Sequence, residues 1–84
     1  GLGRYDVMLE PRSAENDAIL LEFKVQDEGE KELSDTVKEA IRQIEEKDYQ
    51  ANLIAKGIPK ERIRKYGFAF CGKKVLIGGA AIDG

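Results

Sequence analysis

Ala18-Ile19-Leu20-Leu21-Glu22-Phe23-Lys24-Val25 is a strongly β-forming apolar run interrupted by one acid and one base. Side chains alternate along an extended strand, so Leu20, Glu22 and Lys24 share one face and Leu21, Phe23 and Val25 the other. The apolar set is expected to face the core, leaving Glu22 and Lys24 side by side on the opposite face. Upstream, Arg4-Tyr5-Asp6-Val7-Met8-Leu9 is a second strand candidate within residues 4–10, with Tyr5, Val7 and Leu9 on one face and Asp6 and Met8 on the other. Residues 11–17 between them are polar and turn-rich, as a loop joining antiparallel neighbours would be. An Asp on one strand and Glu-x-Lys on the next can hold a divalent cation and set a lysine beside it. Spacing alone equally allows an ion pair on a half-exposed strand, an arrangement that contributes little.

Composition narrows the chemistry. A chain of 84 residues makes one domain with a barely sufficient core. Hydrophobic content of 42% with 36% charged residues fits an ordinary soluble globular chain. No apolar run approaches the roughly 18 residues of a membrane-spanning helix, and no signal-peptide pattern opens the chain, so a cytoplasmic location without a membrane partner is expected. The first residue is Gly1 and a strand follows almost at once, which suggests a single domain, residues 1–84, taken from a longer protein. The one cysteine, Cys71, excludes an internal disulfide and a multi-cysteine metal cluster, and fits a reducing compartment. The absence of histidine removes Ser-His and Cys-His nucleophilic sites and histidine zinc sites. Metal chemistry would then run on carboxylate oxygens, which favour Mg or Mn. A net charge of −2 argues against a dedicated high-affinity nucleic-acid binder.

Residues 26–32 form an acidic loop, too polar to bury. Ser34 is the expected N-cap, with Asp35 in the first turn where the helix dipole favours it. Val37, Ala40, Ile41, Ile44, Ala51 and Ile54 then recur at helical spacing. They predict one amphipathic helix of about 22 residues, roughly 33 Å long, stopped at Gly57-Ile58-Pro59. Residues 62–70 read as a third strand, Cys71-Gly72-Lys73 as a tight turn, and residues 74–77 as its hairpin partner. The tail from Gly78 carries little signal. The fold class is therefore α/β (α+β), a mixed sheet in the order β-β-α-β-β with one long helix on a face. Lys56, Lys60, Arg62, Arg64, Lys65, Lys73 and Lys74 make the C-terminal third basic. They are either a solvated rim or an edge that contacts phosphates, with acidic residues 27–30 facing away from the nucleic acid.

Gly3-Arg4-Tyr5-Asp6, Leu21-Glu22-Phe23-Lys24, Gln43-Ile44-x-x-Lys47-x-Tyr49 and Tyr66-Gly67-Phe68-Ala69-Phe70 together resemble the PD-(D/E)XK, or restriction-endonuclease-like, nuclease superfamily. More narrowly, they resemble the C-terminal nuclease-like domain of bacterial AAA-ATPase-like proteins. The resemblance covers about residues 3–77. It implies that Asp6, Glu22 and the backbone carbonyl of Phe23 bind Mg or Mn. It implies further that Lys24 orients or deprotonates the attacking water, that Gln43 reaches the site from the helix, and that Tyr49 and Lys47 support it. Two acids and a base converging there would keep Glu22 ionised beside Lys24. The implied substrate is DNA, or RNA, and the implied activity a metal-dependent phosphodiesterase; an inactive module that binds nucleic acid or a partner protein is the alternative. The proline of the superfamily's motif is absent before Asp6. So are the helix and strand that usually open the core, which leaves a sheet edge or face for a second copy or an ATPase domain to cover.

Overall fold

The computed structural model describes residues 4–13 and 15–81. Strands β1 (Arg4–Leu9), β2 (Ala18–Val25), β3 (Ile63–Cys71) and β4 (Lys74–Ala81) form one mixed sheet in the order β1-β2-β3-β4. β1 and β2 are antiparallel, β2 and β3 parallel, and β3 and β4 an antiparallel hairpin. The parallel step needs a crossover, and the helical segment supplies it.

That segment is two helices, α1 (Leu33–Glu46) and α2 (Tyr49–Ala55), rather than one long helix. The break is at Asp48, which takes a left-handed conformation (φ 56°, ψ 35°) that aspartate tolerates better than most residues. Helix α1 is capped at Glu32, not Ser34, and the Glu32 N–H donates to the Asp35 carboxylate at 3.2 Å. Helix α2 ends in a Schellman turn. Gly57 adopts φ 96°, its N–H donates to the Ile54 carbonyl, and Ile58 donates to the Leu53 carbonyl. A short 3-10 turn, Lys60–Arg62, leads into β3.

Helix α1 lies across β2, β3 and β4, and the core forms beneath the helices from Ala18, Leu20, Ile44, Leu53, Ile58 and Ile63, with Tyr49 against it. The buried face of β2 is therefore Ala18, Leu20, Glu22 and Lys24. Leu21, Phe23 and Val25 take the other face, the reverse of the sequence-based expectation. There Phe23 packs on Phe68 with ring centroids 4.9 Å apart, and on Tyr5 and Phe70 at 6.4 and 6.2 Å. No helix among the described residues covers that face.

Two glycines let α1 approach the sheet. Gly67 and Gly78 are cross-strand partners, and Gly67 also stands opposite Glu22. A Cβ on Gly67 would lie 3.0 Å from the Val37 carbonyl oxygen and 3.1 Å from the Ala40 Cβ, and one on Gly78 2.5 Å from Val37 Cγ1. β4 thus continues through Gly78, where sequence alone gives little signal: a residue without a side chain is what α1 requires at that position.

Candidate active site

Asp6 on β1 and Glu22 on β2 are direct cross-strand partners on the helix-covered face. Opposed residues of an antiparallel pair hold their Cβ atoms about 4.5–5.5 Å apart, so the two carboxylates share one small region. Glu22 is fully buried, and neither of its carboxylate oxygens has a hydrogen-bond partner among the described residues; Asp6 Oδ1 is likewise buried and unpartnered among them. The other oxygen of Asp6 is anchored. The Tyr49 hydroxyl donates to Asp6 Oδ2 at 3.0 Å, and the Lys47 ammonium forms an ion pair with the same atom. Burial, then the hydrogen bond and negative charge of Asp6, hold the Tyr49 phenol above its ordinary pKa.

The break at Asp48 falls between Lys47, the C-cap of α1, and Tyr49, the first residue of α2, the two residues that grip Asp6. Three orphaned carboxylate oxygens in one buried place are costly unless a cation or a proton joins them. Their hard oxygen character suits a hard divalent cation such as Mg or Mn, so these residues fit the group. Among the described residues, no third His, Cys, Asp or Glu completes a cluster that could hold a metal ion.

Lys24 shares the buried face but turns elsewhere. Its ammonium donates to Asp27 Oδ2 at 2.7 Å and to Glu30 Oε2 and Oε1 at 2.9 and 3.0 Å. Burial pulls its pKa down, yet the hydrogen bonds and charges of Asp27 and Glu30 outweigh this and hold it above the ordinary value. Burial would push Glu30 up, and the Asp27 N–H, Lys24 and Thr36 bring it below the usual carboxylate range. Glu22 therefore stands without the lysine that the sequence suggests as its neighbour.

The sequence profile of the PD-(D/E)XK nuclease superfamily matches residues 1–79. The chain belongs to this superfamily. No curated protein and no solved structure matches it. The four-stranded mixed sheet, with Asp6 on one strand and Glu22-Phe23-Lys24 on the next, is compatible with a truncated nuclease-like fold of that superfamily.

The remaining superfamily-motif residues are placed less directly. Phe23 sits between Glu22 and Lys24 with its ring on the open face. Gln43 is half-buried on α1 and donates to Glu39 Oε1 at 3.3 Å, without a hydrogen bond to Asp6 or Glu22. The basic residues are largely paired. Lys56 binds Glu10 at 2.7 Å; Arg64 binds Asp17 at 2.7 Å, and Arg62 reaches Asp17 at 3.8 Å while donating to the Glu15 carbonyl. Lys65 is not on an exposed edge. It lies on the helix-covered face, 5% exposed, and meets Glu45 at 3.3 Å. Its place opposite Leu20 in the parallel register puts it there. Lys60 and Lys73 are exposed and make no ion pair among the described residues. The acidic loop does not simply face away: Glu30 is drawn in against Lys24 and Thr36. Glu30 and Thr36 escaped the sequence reading because only the folded loop brings them to Lys24; a buried lysine in need of counter-charges was the available signal.

Proposed function

We propose that the domain is a metal-dependent phosphodiesterase that cleaves DNA, with RNA the other substrate class its chemistry would serve. The observation that carries this reading is the cross-strand pair Asp6–Glu22, with three buried carboxylate oxygens lacking a hydrogen-bond partner among the described residues. Asp6, Glu22 and the Phe23 carbonyl would hold Mg or Mn. Bound there, the ion supplies charge stabilisation at the phosphate and a more acidic water. Tyr49 and Lys47 fix one oxygen of Asp6, which leaves the other for the cation. Lys24 would orient the attacking water and offset phosphate charge, and Gln43 would assist from α1. Lys60 and Lys73 are the exposed charges best suited to phosphate contacts, with Lys56, Arg62 and Arg64 contributing where substrate displaces their carboxylates. A cytoplasmic setting, a second copy of the chain or an AAA-ATPase-like partner domain belong to the same reading.

The engagement of Lys24 by Asp27 and Glu30 favours a second reading, a nuclease-like module that binds nucleic acid or a partner protein without cutting. Calorimetric titration of Mn²⁺ into the wild-type domain and into Glu22→Gln separates the possibilities. Saturable binding that the substitution abolishes, followed by Mn²⁺-dependent cleavage of DNA, supports the enzyme. Binding without cleavage of any DNA or RNA form selects the second reading. Silence in both titrations removes the metal site.

A further inference from the structure

Lys24 is 1% exposed, and an ammonium has three N–H donors. Asp27 Oδ2 and the two Glu30 oxygens lie at 2.7–3.0 Å from it, with the Val25 carbonyl at 3.5 Å, so its donors are occupied. The grip is built into the fold. The Glu30 side chain is 14% exposed and also accepts from the Thr36 hydroxyl at 3.0 Å and the Asp27 N–H at 2.9 Å. The Gln26 side-chain amide ties the Glu30 carbonyl at 2.8 Å, and Thr36, buried on α1, fastens the loop to the helix. A surface ion pair would mean little, whereas a buried ammonium shared by two carboxylates is a defined arrangement. Glu22, two residues away on the same face, receives none of this ammonium's hydrogen bonds.

We infer that residues 27–30 are an acidic latch that holds Lys24 away from the Asp6–Glu22 carboxylates and restrains phosphodiester cleavage there. The inference rests on the nuclease reading above. A lysine that serves a phosphate must present its ammonium to that phosphate, and here two carboxylates occupy it. The exposed Asp27 and Glu28 also add negative charge beside the place a polyanion must approach. Substrate reaches Lys24 only by displacing the latch.

The test compares wild type, Asp27→Asn, Glu30→Gln, the double variant and Glu22→Gln. Two readouts are needed: Mn²⁺-dependent cleavage of plasmid and single-stranded oligonucleotide, and the ¹⁵Nζ signal of Lys24 in metal-free protein, assigned with Lys24→Arg. The expected result is a slowly exchanging Lys24 ammonium signal in wild type that the double variant loses, with cleavage rising about tenfold, the scale of one lost charge-assisted hydrogen bond. An exchange-averaged Lys24 in wild type overturns the latch. So does loss of the signal with cleavage unchanged or slower, while wild type still cuts in a Glu22-dependent way; the nuclease reading then survives. No cleavage by any protein overturns both. Asp27→Asn alters a side chain that is 68% exposed, so it carries the comparison should Glu30→Gln unfold the loop.

Discussion

Lys65 and Lys73 both belong to the basic C-terminal third, yet only Lys73 reaches solvent; Lys65 is buried against α1 beside Glu45. Counterion release makes each phosphate contact visible in the salt dependence of nucleic-acid binding. On the proposed nuclease reading, Lys60→Ala and Lys73→Ala are therefore expected to weaken DNA binding and each to reduce the salt slope by about one, measured by fluorescence anisotropy across ionic strength. Lys65→Met should leave both affinity and slope unchanged and be close to neutral for stability, since an apolar side chain replaces one half of a partly exposed pair. Glu39 gives a pH signature. The Arg42 hydrogen bond, opposed by burial and helped by Gln43, holds its carboxyl at about 2, against an ordinary 4.5. A depressed folded pKa contributes stability that is complete above the ordinary range and is lost as pH falls from about 4.5 to about 2. Urea midpoints followed over that window should fall less steeply with acid in Glu39→Gln than in wild type.

At the scale of elements, the strands, the Gly57 stop and the β3–β4 hairpin were legible, because alternation and Gly/Pro chemistry are local signals. The helix break was not. Apolar spacing from Val37 to Ile54 continues through Lys47 and Asp48, and only the attachment of Lys47 and Tyr49 to Asp6, 41 and 43 residues away in sequence, distinguishes two helices from one. The faces of β2 were misread for a related reason. Acid and base ordinarily mark the solvent side, but Glu22 and Lys24 lie under α1, and such local contradictions are expected where a fold carries a site. The carboxylate pair itself was legible as residue types, and its convergence came from the β1–β2 register that no single strand encodes. The close seat of α1 is testable at Gly67. Alanine there would press on the Val37 carbonyl and the Ala40 Cβ, neither of which can rotate aside, so α1 must lift. Overpacking of this kind costs about 1–3 kcal/mol, and urea denaturation of Gly67→Ala should show a loss in that range. Gly29→Ala, where a Cβ meets nothing within 4 Å, should show none.

For the molecule as a whole, the described residues cover the sheet on one side only. Tyr5, Phe23, Phe68 and Ile77 form a row across all four strands on the open side, with Tyr5 68% and Ile77 54% exposed. Strands about 4.8 Å apart and six to nine residues long make this face roughly 19 by 25 Å. The largest exposed apolar patch of a small monomer is often functional. Two such faces can stack about 10 Å apart, as sheets do in sandwiches, and each copy would keep its Asp6–Glu22 pair on the far side, under α1 and away from the contact. The isolated chain should therefore associate as its concentration rises, seen as a growing sedimentation coefficient. Ile77→Lys places a charge at the β4 end of the apolar row while altering a side chain already mostly in water, so it should return the chain to monomer with an unchanged circular dichroism spectrum and unchanged Mn²⁺ binding. A wild-type chain that stays monomeric at high concentration would mean that two copies of this face do not fit each other. The apolar row would then have to be matched by a different surface, and Ile77→Lys would be the variant with which to recognise it.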